Sequence, residues 1–350
     1  MSIGRESREA AAAIRGSRDN PVMRVFSGIR ASGEKTLGNY SGGYRQYAAT
    51  QERGEAVFCI VDLHSITTAY EPRMLHEATL AGAAMLFATG IDPGRSTVFC
   101  QSHVKAHAEA AWLLSSAASF GELRRMTQFK DKSADQDFVS AGLFNYPVLM
   151  AGDILLYQTD IVPVGDDQRQ HVELTRDVAE RFNSRYGATF TIPKGVYPEE
   201  GARIRNLQEP ERLMSTSAGN PQGVVRLVDE PDVVRTKFKT AVTDSEREVR
   251  HDPAAKPGIS NLIEIMSVVS GDPIDAVESR YDGAGYGDFK RDVGEAVVEL
   301  LAPIQARYAA LRADEPELLR MLAQGAEKAR AASAPTLEAM YERMGFVKPS

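Results

Sequence analysis

The sequence predicts an α/β fold in which a parallel sheet, covered by helices on both faces, is followed by an all-helical region. Three observations carry this. Short apolar runs of strand character (VMRVFSG, AVFCIVD, STVFCQS, DIVPV) alternate with helical patterns, and such alternation builds parallel sheets. From about Asp229 onward EPDVVRTKFKTAV, SNLIEIMSVVS, VGEAVVELLAPIQARYAALR and LLRMLAQGAEKARAA read with helical periodicity and no strand between them. The 350 residues, 43% apolar and 25% charged, suit at least two domains at about 100 to 200 residues each, with a core that needs no metal or crosslink.

The elements follow in order. The run from Val22 is a strand, IRASGEKTLGN a glycine-bearing loop, and YSGGYRQYAATQER a helix. AVFCIVD, MLHEATLAGAAMLFAT, STVFCQS and HAEAAWLLSSAAS repeat the strand and helix alternation. Beyond Tyr146 a helix is expected to start at Pro147 and run through LMAGDILLY, then a strand at DIVPV and a long amphipathic helix from about Asp167 to Tyr186. These elements divide the chain into a mobile extension (1–21), a sheet domain (22–220) and a helical domain (221–350). The longest apolar stretch, Ala78 to Ile91, is interrupted by Thr79, Gly82, Thr89 and Gly90, short of the roughly 18 residues a membrane span requires. Residues 1–21 carry Glu6, Glu9 and Asp19 and lack a secretory pattern. Cys59 and Cys100 sit inside apolar runs, as core residues of a protein in a reducing cytoplasm. A net charge of −7 excludes a uniformly basic nucleic-acid binder but leaves room for a local basic track.

In an open parallel sheet, ligands gather beyond the carboxyl ends of the strands, where strand order reverses. The segments after Phe26, Val61, Cys100 and Val164 are therefore the places to search. Ser27 to Asn39 is a glycine-bearing loop entering a helix, able to present free backbone N–H groups to a phosphate or nucleotide; a plain glycine turn is the competing reading. Neither GxGxxG nor GxxxxGK[ST] occurs. In Asp153 to Asp177, Asp153 lies within the apolar helix AGDILLY, where an unpaired carboxylate requires a donor such as a ligand N–H. Gly165, Asp166, Asp167 and Gln168 follow a strand and open a helix, either meeting a ribose and an ammonium group or forming an N-cap turn. His103 and His107 lack a third metal ligand and read as part of a capped surface helix, so no metal site is predicted. His64 is either a packing histidine or a substrate contact. No Gly-x-Ser-x-Gly elbow or activated cysteine supports covalent catalysis. Lys130 and Lys132, with Arg124 and Arg125 nearby, form the densest basic cluster, suited to phosphate or simply solvated.

FSGIRASGEKTLGNY, FCIVDLHSIT, GELRRMTQFKDKS and DILLYQTDIVPVGDDQRQHVELTRD, with AVTDSEREVRHDPAAKPGISNLIEI and YDGAGYGDFK further on, closely resemble the bacterial tryptophanyl-tRNA synthetases, class I aminoacyl-tRNA synthetases. The resemblance covers nearly all of the chain after residue 22. It implies a homodimer of Rossmann-type catalytic domains, each followed by a helical anticodon-binding domain. The implied reaction forms tryptophanyl-adenylate from L-tryptophan and ATP, with Mg²⁺ carried on ATP, and then charges tRNA(Trp). Thr36-Leu37-Gly38-Asn39 occupy the place of the "HIGH" motif, with Arg30, Ala31 and Ser32 ahead of it at the ATP site. Gly165, Asp166, Asp167 and Ile204 would contact the nucleotide, as would Leu213, Met214, Ser215, Thr216 and Ser217. Thr36, Lys132 and Ser215 are the implied catalytic residues. Asp153 would accept the indole N–H, with Phe26, Val61, Met150 and Val164 walling the ring, His64 beside it, and Tyr146 and Gln168 holding the amino group.

The sequence departs from the family at the KMSKS signature, which reads Leu213-Met214-Ser215-Thr216-Ser217, without either lysine. Arg30, Lys132 and Arg212 are candidates to supply the missing charge. A slow-activating auxiliary paralogue that binds tryptophan or tRNA is the rival to a working enzyme. A tyrosine-specific relative is the third reading, and would be expected to lack the sequence around Asp153. Arg235, Lys237 and Lys239, on one short helix, are candidates for a tRNA-facing track or a solvated face.

Overall fold

The structure is a computed structural model and describes residues 22–31, 34–52, 54–134, 138–197, 204–215 and 219–348. The extension 1–21 lies outside them. Five parallel strands, β1 (Arg24–Ile29), β2 (Glu55–Ile60), β3 (Thr97–Cys100), β4 (Ile161–Pro163) and β5 (Lys194–Val196), lie in the order β3-β2-β1-β4-β5. The order reverses between β1 and β4, where a crevice opens at the strand ends. Side chains of β2 alternate as the pleat requires. Phe58 and Ile60 face one apolar layer and Val57 and Cys59 the other, so the expected sheet buried on both faces is what forms.

The first helix, α1, begins at Leu37–Asn39, passes through a π-helical turn at Tyr40–Tyr44 and resumes as Arg45–Thr50. Next come α2 (Asp62–Ser65), α3 (Pro72–Ala88), α4 (Ala106–Ser115), α5 (Phe120–Arg125) and α6 (Thr127–Ser133). The helix expected from Pro147 is α7, and it spans Ala141–Leu155. The start is corrected by the cap: the Ser140 hydroxyl accepts from the Leu143 N–H at 3.0 Å, so the helix nucleates upstream and Pro147 lies inside it. A 3₁₀ turn at Asp166–Gln168 leads into α8 (Arg169–Tyr186). Strand β5 had no counterpart in the sequence reading. Three residues long and with only Gly195 half-buried between exposed neighbours, it offers no apolar signal.

The C-terminal region is helical, with α9 (Pro231–Lys239), α10 (Pro257–Ser270), α11 (Ile274–Arg280), α12 (Tyr286–Ala313) and α13 (Glu315–Arg343). One buried apolar cluster runs from Phe58 and Leu86 of the sheet layer to Phe238, Ile263, Val293 and Leu322 of these helices. Helix α13 crosses β3 so closely that a Cβ on Gly325 would stand 1.7 Å from the Val98 carbonyl oxygen, a contact only glycine allows. The tRNA-facing reading of Lys237 is corrected here. Its ammonium is buried, 2.6 Å from Asp229 Oδ2 and 2.7 Å from the Val224 carbonyl. Arg235 pairs with Glu295 and Asp232, whereas Lys239 is exposed. Cys59 and Cys100 are buried free thiols on adjacent strands. Among the described residues, no helix is long and apolar enough to cross a membrane.

Candidate functional site

A cavity of about 760 Å³ opens at the carboxyl ends of β1, β2 and β4, at the switch point. Helix α7 contributes one face, because Tyr146, Met150 and Asp153 recur at helical spacing and all reach the cavity. All eight residues expected around an aromatic ring line it: Phe26, Val61, His64, Tyr146, Met150, Asp153, Val164 and Gln168.

Asp153 is not the lone carboxylate the sequence suggested. It is 1% exposed and already holds three donors. His64 Nε2–H donates to Oδ2 at 2.8 Å, while His107 Nδ1–H and Gln101 Nε2–H donate to Oδ1, each at 2.6 Å. Burial opposes its charge, yet the hydrogen bonds from His107 and His64 outweigh burial and hold the carboxyl well below the usual range. His107 faces the Tyr157 hydroxyl at 2.8 Å through Nε2. The surface-helix reading of His103 and His107 is therefore corrected: His107 is fully buried in α4, and His103 sits exposed in a separate 3₁₀ turn. Gln101 follows Cys100 at a strand end, the kind of position already marked for search. For Tyr157, 50 residues from its histidine partner, no sequence signal existed.

Tyr146 donates its hydroxyl to Gln128 Oε1 at 3.2 Å and lies 2.6 Å from His171 Nε2. His171 is 1% exposed, and its Nδ1 has no hydrogen-bond partner. Burial pushes this imidazole down to about 4, so it stays uncharged at neutral pH, and burial pushes the Tyr146 phenol up to about 12. His171 and Gln128 escaped the sequence reading because nothing local marks them as partners of Tyr146.

Toward the other end of the cavity, Arg30, Ala31, Asn39, Gly165, Asp167 and Lys132 contribute lining. Burial, and then the nearby Arg30 charge, lower the Lys132 ammonium, as expected where cations converge on a partly desolvated region. The same two causes bring Lys35 down to about 8. Thr36 stands apart, being fully buried. Its hydroxyl caps α1 by accepting from Asn39 N–H at 3.2 Å and lies 3.5 Å from the Met214 carbonyl. A Cβ on Gly38 would meet that same carbonyl oxygen at 2.7 Å, so the Met214 segment rests directly on the start of the helix.

Ile204 and Met214 are buried in the apolar cluster and joined by a Met214 N–H to Ile204 carbonyl bond of 3.0 Å. The Leu213 side chain is half exposed and Ser215 half-buried beside Met214, while Arg212 reaches Glu209. Ser32, Thr216 and Ser217 lie outside the described residues, as does the Asp166 side chain.

The crevice thus combines apolar walls, a buried carboxylate holding three donors, and cations toward its other end. Comparison with known proteins decides the family. The description "tRNA synthetases class I (W and Y)" matches residues 18–302. The chain belongs to this class I synthetase family. It is 52% identical over 335 residues to a "Tryptophan--tRNA ligase" of Leifsonia xyli, covering 95% of this chain and 99% of that one. It is 49% identical to a protein of the same name from Caldanaerobacter subterraneus, over 93% and 99% of the two chains. Among solved class I structures, tryptophanyl-tRNA synthetase of Mycoplasma pneumoniae superposes with a TM-score of 0.84 at 35% identity, covering 93% of this chain and 99% of that one. The Campylobacter jejuni synthetase complexed with ADP and tryptophan superposes with a TM-score of 0.80 at 34% identity, covering 93% and 100%.

Proposed function

We propose that this synthetase activates L-tryptophan with ATP to tryptophanyl-adenylate and transfers the tryptophan to tRNA(Trp). The observation that carries the tryptophan assignment is the arithmetic at Asp153. A carboxylate offers about four acceptor positions. Two on Oδ1 are taken by His107 and Gln101 and one on Oδ2 by His64, which leaves a single position on Oδ2 for the indole N–H. Phe26, Val61, Met150 and Val164 supply the apolar walls. Phenylalanine would leave this fourth position empty and forgo a hydrogen bond to a charged group, although Oδ2 would keep its bond from His64. Tyr146 and Gln168 hold the amino group.

The protein supplies neither base nor nucleophile to the first step. The tryptophan carboxylate oxygen bonds to the α-phosphorus, the bond to the bridging oxygen breaks, and pyrophosphate leaves. A tRNA terminal hydroxyl then attacks the activated carbonyl and AMP departs. Catalysis consists of positioning and of neutralising charge on the phosphates, and ATP enters with its own Mg²⁺. With Leu213 uncharged, the lysine and arginine side chains among the described lining residues are Arg30 and Lys132, which take over part of the task that lysines perform elsewhere in the family.

Residues 221–350 would recognise the anticodon, and the protein would act in the cytoplasm as a homodimer. The dimer reading draws on exposed aromatic side chains in successive elements: Trp112 on α4 is 78% exposed, Phe120 at the start of α5 69%, and Phe138 ahead of α7 79%. Tryptophan-dependent exchange of pyrophosphate into ATP, followed by charging of tRNA(Trp), tests the whole reading. Exchange driven by tyrosine, or no exchange with tryptophan, would overturn it.

A further inference from the structure

The loop at the nucleotide end is not held by the sheet domain alone. Leu37 N–H donates to the Val225 carbonyl at 2.9 Å and Leu227 N–H to the Lys35 carbonyl at 2.8 Å. Thr36 and Arg226 thereby form an antiparallel bridge, reinforced by an Arg226–Glu34 ion pair of 2.6 Å. Segment 224–229, which grips the loop, has little regular structure of its own and depends on the helices behind it. Lys237, on α9, reaches both its ends, donating to the Val224 carbonyl at 2.7 Å and to Asp229 Oδ2 at 2.6 Å. The same Asp229 oxygen accepts from Arg226 N–H at 2.8 Å. Gln305, on α12, donates to the Leu227 and Asp229 carbonyls at 3.0 and 2.8 Å.

We propose that Lys237 is a positioning residue for the nucleotide: by clamping Val224 to Asp229 it fixes the segment that holds the Glu34–Asn39 loop, and so ties the loop's place over ATP to the helical region. The inference rests on the reading of that loop as the ATP site. Two features make the clamp stiff. Lys237 and Asp229 are 7% and 9% exposed, so water cannot substitute for either partner cheaply. The segment and loop are also joined through main chain, which transmits displacement without a side-chain rotamer to absorb it. The Lys237 clamp does not extend to the tryptophan end, where Asp153 is held from α2, α4 and Gln101.

The test compares Lys237→Met, Lys237→Arg and the double variant Lys237→Met/Asp229→Asn with the unmodified protein. The double variant removes both buried charges while keeping a side-chain oxygen for Arg226 N–H, so it separates positioning from the cost of an orphaned carboxylate. Loss of a charged hydrogen bond predicts an ATP KM, and an ATP dissociation constant by calorimetry, raised roughly tenfold in the double variant. The tryptophan KM should move less than about twofold, and Lys237→Arg should return ATP affinity toward the original. Amide exchange of peptides covering residues 34–39 and 223–229 should quicken while that of β2 does not. Equal rises in both KM values, unchanged ATP affinity, or unchanged exchange in those peptides would overturn the proposal. Failure of the unmodified protein to exchange pyrophosphate would instead sink the functional reading, and the amide measurement would still decide whether Lys237 clamps the loop.

Discussion

Replacing Asp153 by Asn keeps the shape of the side chain and turns one acceptor oxygen into an N–H₂ donor. In either orientation the amide nitrogen faces a donor. It meets His64 Nε2 on one side, or His107 Nδ1 and Gln101 Nε2 on the other, at separations of 2.6 to 2.8 Å. A hydrogen bond to a charged group contributes about 1.5 to 3 kcal/mol, so losing the indole contact alone predicts a tryptophan KM raised about 10- to 150-fold. The ATP KM should change little, because the nucleotide end is lined by other elements. Steady-state pyrophosphate exchange at varied tryptophan and varied ATP measures both. Acid stability offers a second reading. The Asp153 carboxyl lies below its ordinary 3.8 in the folded chain, so its contribution is full above that value and is lost as pH falls toward the lowered one. Above that value the carboxyl stays ionised, so its own titration adds no pH dependence to the Asp153→Asn effect on tryptophan. A tryptophan KM changed by less than about threefold, or tryptophan and ATP constants that rise together, would refute the assignment of Asp153 to the indole.

Three further outcomes are expected. Arg30→Ala or Lys132→Ala should slow pyrophosphate exchange roughly ten- to a hundredfold while leaving tryptophan binding near its original value; equal losses of both would contradict their assignment to the phosphates. His171, with a folded value near 4 against an ordinary 6.5, takes up a proton more readily when unfolded. Stability should thus fall as pH drops from about 6.5 to 4, by up to about 3 kcal/mol, and His171→Asn should remove that slope in chemical denaturation. An unaltered slope would mean that another group causes it. If the exposed aromatic side chains form the dimer face, Trp112→Glu should weaken self-association by at least about 2 kcal/mol in sedimentation, whereas an unchanged dimer would place the face elsewhere.

Much of the architecture was legible because it is written in local spacing. The alternation of apolar runs and helical patterns determined the parallel sheet, and Tyr146, Met150 and Asp153 share a cavity face because their spacing suits a helix of 3.6 residues per turn. The strand-end rule points to His64 and Gln168 from the sequence alone. The start of α7 was misplaced because Pro147 is a strong local signal, and the Ser140 cap overrode it.

What the sequence by itself determined, then, was the order of elements and the side of the sheet on which chemistry gathers, since the first follows from apolar runs alternating with the 3.6-residue helical period and the second from the ends of parallel strands. Only the tertiary structure decided how the carboxylate at 153 is satisfied, because His107 and Gln101 stand 46 and 52 residues away and meet it only once α4 and the turn after β3 pack against α7. The same holds for Lys237, which looked like one more basic residue on a short helix. Burial beside Asp229 turned it from a surface charge into a clamp, and burial is a property of the packed molecule that no run of neighbouring residues encodes.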